Sequence, residues 1–327
     1  MRKLYILLSL LFLCFCSCDD EFTPKTDFEE KYVLFGVITN SPQLPSTSLQ
    51  VTVLSTYDIE GFNPVVDHTD HSIPGCIVTL TINDKDYHLS QDTVKKVTST
   101  FKTKYSYKIN SFPIPADKEL KIKAQLPNGK ILTAKTKVPE TLSILEFSYP
   151  FNSGVHTKLN RFIWGDKWVI NWDSYNDYLY FPRLKLYYQV KSSTGLKHYS
   201  REIPLKYVKK NDKYEPVYPS YTYDKQMEYS YDCIDSVMSQ ISAGDTAKST
   251  YIIGSISFGM LEYEHNLASY FSSTNGYLDN FSIRLDESVY SNVSGGIGVF
   301  GAYTVSSQTF KVERAYVESF GYTWREP

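Results

Sequence analysis

The chain has 327 residues, with 34 basic against 36 acidic side chains and a formal net charge of −2. That balance leaves no basic stripe to neutralise phosphates, so nucleic-acid partners are set aside. Aromatic residues make up 15% of the chain, 28 of them Tyr and 18 Phe, and such side chains pack well on a pleated surface, which favours strands.

The N-terminal stretch comes first. Arg2 and Lys3 precede an apolar block over residues 4–15. The block is too short for a spanning helix, which needs about 20 apolar residues, and it fits the hydrophobic region of a secretory signal. Ser17 then places a small residue directly before Cys18. That is a lipobox arrangement, in which the cysteine thiol is acylated and cleavage makes Cys18 the new N-terminus. Phe15 departs from the pattern, which usually has Leu there; Cys14 and Cys16 follow Leu13 and Phe15 and are poorer acceptors. The alternative is a plain secreted protein. Loss of residues 1–17 removes Arg2 and Lys3, leaving 32 basic against 36 acidic residues and a net charge of −4 over 310 residues. Asp19, Asp20 and Glu21 follow the cysteine. They form a solvated tether over residues 18–29, and they resemble the acidic export signal of Bacteroidota surface lipoproteins.

Strands are expected over residues 31–39, 49–55, 76–82, 87–89, 100–109, 120–124 and 130–138, with a hairpin turn at Pro127-Asn128-Gly129. Short strands at this spacing predict a mainly β fold that opens with an immunoglobulin-like or transthyretin-like β-sandwich over residues 30–139. Pro139-Glu140-Thr141 marks the expected boundary to a larger β-rich domain over residues 140–327 with one or two short helices. There, strands are expected over 144–149, 167–172, 184–190, 250–258, 281–285, 299–305 and 310–316. Asp232 is the expected cap of a helix with Ile234, Val237, Met238 and Ile241 on one face and Gly244 ending it. A second helix is expected over 261–271.

Four segments carry a family resemblance: Leu34-Phe-Gly-Val-Ile-Thr39, Pro74-Gly-Cys-Ile-Val-Thr-Leu80, Thr133-Ala-Lys-Thr-Lys-Val-Pro139 and Asn292-Val-Ser-Gly-Gly-Ile-Gly-Val-Phe-Gly-Ala302. Together they resemble a Bacteroidota outer-membrane lipoprotein family catalogued as domain of unknown function 4249, and the glycine motif is the most specific of them. Cys76 departs from that pattern, where a small residue such as Ala is usual. The resemblance implies a surface accessory of a TonB-dependent outer-membrane receptor, and brings no substrate or catalytic residue with it.

Candidate chemistry is sparse. Asp67, His68, Asp70 and His71 offer ligands of a kind zinc accepts, but a loop lacks rigid ligand spacing, and neither a metal nor a cofactor is expected. Gly295, Gly296, Gly298 and Gly301 superficially resemble a phosphate loop; no Lys-Ser/Thr follows, so positive φ or close strand packing is the expected role. No Gly-x-Ser-x-Gly elbow is present. Asp173, Asp177, Glu262 and Glu264 are the carboxylates that a glycosidase would pair, if their separation allowed. Cys76 and Cys233 either bridge or stay as buried thiols. Tyr214, Tyr218, Tyr221, Tyr223, Tyr229 and Tyr231 form a Tyr-rich insert suited to stacking on a ligand or partner, or to lining a β surface. The expected function is binding, of a small molecule, glycan or peptide, with a structural or adhesive surface lipoprotein as the alternative and a glycan- or peptide-acting hydrolase third.

Overall fold

The computed structural model describes residues 29–41, 48–56, 70–93, 104–113, 118–140, 142–146, 167–173, 178–273 and 290–325. Cys18, Asp19, Asp20, Glu21, Asp67, His68, Asp177 and the strand expected over 281–285 lie outside them. The protein is mainly β, with three short helices among the described residues.

The N-terminal part is a sandwich built from β1 (Tyr32–Asn40), β2 (Ser48–Ser55), β3 (Ile77–Ile82), β4 (Lys85–Thr93), β5 (Tyr105–Asn110), β6 (Glu119–Gln125) and β7 (Ile131–Lys137). β6 and β7 alternate strictly: Leu120, Ile122 and Ala124, then Leu132 and Ala134, are buried, and the residues between them are exposed. Such a pattern commits one face to a core. β4 makes the corner. Its first half pairs with β3 and its second half, from Ser90, pairs with β5, so one strand passes from one layer to the other. Leu34, Val51, Leu80, Tyr107 and Ile122 meet between the layers, each worth about 1.5–3 kcal/mol if fully buried. The Tyr107 hydroxyl is satisfied inside this core: it donates to the Ile73 carbonyl at 2.6 Å and accepts the Cys76 amide at 2.8 Å.

The C-terminal part adds β8 (Ser143–Glu146), β9 (Lys167–Asp173), β10 (Leu179–Ser192), β11 (Gly195–Glu202), β12 (Lys206–Lys210), β13 (Lys213–Val217), β14 (Gln226–Ser230), α1 (Tyr231–Gln240), β15 (Tyr251–Tyr263), α2 (His265–Ser273), β16 (Ile297–Lys311), α3 (Arg314–Ser319) and β17 (Thr323–Trp324). β16 runs parallel to β1 on one side and antiparallel to β15 on the other. Among the described residues one sheet therefore runs β11-β10-β15-β16-β1-β2-β5-β4-β3-β6-β7, with β17 beside β15. It crosses the boundary expected at Pro139–Thr141, and Val293, Phe300 and Ala302 from beyond that boundary complete the core of the N-terminal sandwich. β14, β9 and β8 form a second sheet. Trp168, Ile170 and Trp172 of β9, with Ile234 and Met238 of α1, pack with Leu184, Leu186, Ile256 and Phe258 of β10 and β15 in a second core.

Local departures from expectation have local causes. Ser230, not Asp232, caps α1 and accepts the Asp232 amide at 3.2 Å. Starting there turns Tyr231 into the core and leaves Asp232 in the first turn, where a carboxylate suits the helix dipole. Ile234, Val237, Met238 and Ile241 are all buried, and α1 ends at Gln240, ahead of Gly244. Residues 261–263 belong to β15; α2 starts only at His265, where the Glu264 carboxylate accepts the Asn266 and Leu267 amides at 2.7 and 2.9 Å. The strand expected over 299–305 runs on as one strand over Ile297–Lys311, so of the strand expected over 310–316 only 310–311 are strand, and α3 begins at Arg314.

Candidate binding groove

β10 and β15 bury one face against the second core, to which β16 adds Phe310, and the other face of the three strands forms a groove. In β10, Leu184 and Leu186 point inward, while Phe181, Arg183, Lys185 and Tyr187 take the opposite side. Register lines these up with the neighbouring strands. Arg183 lies beside Gly259 and Gly259 beside Ser307; Lys185 lies beside Ser257 and Ser257 beside Thr309; Tyr187 lies beside Ser255. The groove encloses about 610 Å³, a size typical of small-ligand sites.

Gly259 sits in the middle of the floor. Its φ is not in the left-handed region, and a Cβ there would meet nothing within 4 Å. A glycine inside a strand often marks a place where another molecule approaches the backbone closely. At Tyr187/Tyr188 the register shifts: Tyr187 pairs with Ser255 and Tyr188 with Ile253. This bulge joins the groove to a second hollow of about 320 Å³, which shares Tyr187 and Ser255 with it and adds His198, Tyr199 and Arg325. Tyr188 and Tyr199 stack there, with ring centroids 5.4 Å apart, and the Arg325 guanidinium donates to Gln189 Oε1 at 3.3 Å. Bulges of this kind re-aim side chains at sites.

Positive groups dominate both hollows. No Asp or Glu lines either one among the described residues. Arg183 is fixed in place: its Nε is 2.9 Å from Glu202 Oε1, its guanidinium lies 3.7 Å from the Phe181 ring centroid, and it donates to the Pro219 carbonyl. Burial pushes the Glu202 carboxyl above its ordinary pKa, while the Arg183 and Lys185 charges pull it down; the close ion pair argues that it stays charged. Phe181 in turn stacks on Tyr221 at 4.5 Å, closing one end of the groove.

The Tyr-rich insert divides. Tyr214, Tyr218 and Tyr223 are exposed, Tyr214 on the β12–β13 hairpin, which pairs with no other strand among the described residues. Tyr229 and Tyr231 are buried in the second core and Tyr221 is half-buried, so these three do not form one surface with the others. Of the glycosidase carboxylates, Glu264 is occupied in capping α2, Asp173 is exposed at the end of β9, and Glu262 is buried inside the sheet. Asp70 organises its loop, accepting the Ser72 amide at 3.0 Å, the Ser72 hydroxyl at 2.6 Å and the Lys104 amide at 3.1 Å. Among the described residues no three His, Cys, Asp or Glu side chains cluster to hold a metal. Cys76 and Cys233 lie in different cores, free and buried.

The glycine motif is a joint. Gly298 has φ +119°, and a Cβ there would come within 2.1 Å of the Leu34 carbonyl oxygen on β1. At Gly301 the obstacle would be Leu267 Cβ of α2, at 2.8 Å. Asn292 locks the approach: it donates to the Phe300 and Lys135 carbonyls at 2.8 and 2.9 Å and accepts the Phe300 amide at 2.9 Å. The motif holds β1, β7 and β16 together.

No family model matches the chain, and no curated protein matches it.

Proposed function

We propose that the protein is an outer-membrane lipoprotein, anchored through Cys18 and facing the cell exterior, that binds a ligand as the non-catalytic accessory of a TonB-dependent receptor. The observation that carries the reading is Ser17-Cys18 behind the apolar block, followed at once by Asp19-Asp20-Glu21. Two or three acyl chains give stable anchoring where one is marginal. The family resemblance of the strand and glycine motifs supports the receptor partnership. The groove on β10, β15 and β16 supports binding, since its cations, hydroxyls and rings suit recognition.

Cys18→Ser is expected to abolish incorporation of labelled fatty acid; continued labelling would place the lipid elsewhere. Protease treatment of intact cells is expected to cleave the protein, and protection would place it on the inner side. Purification in mild detergent is expected to bring a large β-barrel with it. Repeated recovery alone would favour a structural or adhesive role, for which the exposed Tyr214 on its separate hairpin is the best-placed contact.

A further inference from the structure

We infer that the groove on β10, β15 and β16 is a binding site for an acidic oligosaccharide; this rests on the groove being the ligand site of the proposed accessory.

Charge comes first. The chain as a whole carries a slight acidic excess, yet the groove and the adjoining hollow present Arg183, Lys185 and Arg325 and not one carboxylate. An anionic ligand is the complement of that surface. Arg183 is tied to Glu202 and to the Pro219 carbonyl, so its charge is balanced by that carboxylate and the net positive charge comes from Lys185 and Arg325. Lys185, on the same groove face and beside Glu202 in the β10–β11 register, is a flexible ammonium able to meet a ligand carboxylate or sulfate.

The floor decides between a peptide and a sugar. A peptide most readily joins a sheet by adding a strand at an edge. Here β15 is paired along the groove with β10 on one side and β16 on the other, so its backbone amides and carbonyls are already occupied in the ladder. Recognition has to come from side chains. Those available are the hydroxyls of Ser255 and Thr309 and that of Ser257, which donates to the Gln308 carbonyl at 3.4 Å and can still accept; a hydroxyl both donates and accepts, as sugar hydroxyls do. Tyr187, 48% exposed, offers a ring face at the bulge where the two hollows join, and such a flat face with a polar tip suits stacking on a sugar ring. Phe181 and Tyr187 are six positions apart on one strand face, a span of about 20 Å, which accommodates several sugar rings. Gly259 leaves the centre of that track empty.

The test uses the full-length protein in mild detergent and calorimetric titration with tetragalacturonate, a heparin-derived hexasaccharide, neutral cellotetraose and tetraglutamate. At least one of the two acidic sugars is expected to bind about tenfold or more tighter than both cellotetraose and tetraglutamate, and to weaken as salt is raised. Gly259→Trp, which fills open space, and Lys185→Ala are each expected to weaken that binding about tenfold or more while leaving the melting temperature unchanged; Tyr214→Ala is expected to leave it intact. Equal binding of the neutral sugar, equal binding of tetraglutamate, no binding of either acidic sugar, or full binding by Lys185→Ala overturns the assignment. Should Gly259→Trp lower the melting temperature, Lys185→Ala alone decides. A β-barrel in the same preparation keeps the two readings apart: barrel present with no sugar bound removes only the ligand class, and sugar bound with no barrel removes only the receptor role.

Discussion

Replacing Gly298 with alanine is expected to cost about 3–5 kcal/mol of stability and to lower the melting temperature by on the order of 10 °C. Two penalties coincide there. The φ of +119° lies where side chains are strained, a cost of about 1–3 kcal/mol. The added methyl would also come within 2.1 Å of the Leu34 carbonyl oxygen, so β1 and β16 would have to part where they are paired. Gly259→Ala is the control. With no left-handed φ and open space at its Cβ, it is expected to melt with the parent protein. Equal melting of Gly298→Ala and the parent would mean that the β1–β16 joint is not the tight contact described above.

Glu262→Gln is expected to stabilise the protein at pH 8 and to flatten its pH dependence between pH 5 and 8. Glu262 is 1% exposed, and its Oε2 has no hydrogen-bond partner among the described residues. Burial, with the Glu140 charge nearby, raises its pKa from 4.5 to about 8. The folded state thus keeps a proton that the unfolded state has lost. Between those two values stability falls as pH rises, by about 1.4 kcal/mol per unit, and above about 8 the loss is complete. Below 4.5 both states are protonated and the group contributes no slope. Glutamine holds the shape without ionising, so the slope due to Glu262 disappears. Urea melts of both proteins at pH 5, 6.5 and 8 decide it; parallel curves would mean that Glu262 is ionised in the folded state. Glu264, also raised by burial, is present in both proteins and cancels from the comparison.

The β character was legible because β6 and β7 alternate buried and exposed residues at period two, and the α1 stripe because Ile234, Val237, Met238 and Ile241 share one helical face. Pairing was harder to read. That β16 inserts beside β1, and so links the two expected domains, depends on contacts between strands far apart in the sequence that leave no local pattern. Tyrosine misled for a physical reason: one ring suits a solvent face, as at Tyr214, or a core, as at Tyr229, and sequence alone does not choose. The groove was missed because Arg183, Lys185, Ser255 and Ser257 look like the ordinary wet side of a strand. The signal that would have found it is the small-residue track Ser255-Ile-Ser-Phe-Gly259 beside Phe181-Pro-Arg-Leu-Lys-Leu-Tyr187. There the outward positions of one strand carry almost no side chain and those of its neighbour carry rings and cations.

The parallel pairing of β1 with β16 also sets the order in which the protein can be finished. A chain is made from its N-terminus, so β1 emerges early and can find β2 at once. Its other edge stays open until β16, Ile297–Lys311, has been synthesised. Until then Phe300 and Ala302 are missing from the sandwich core, and β1 presents an unpaired apolar edge of the kind that invites misassembly. Closure joins two strands far apart in the sequence, a long-range contact that forms slowly. β16 acts as the latch that completes the N-terminal sandwich.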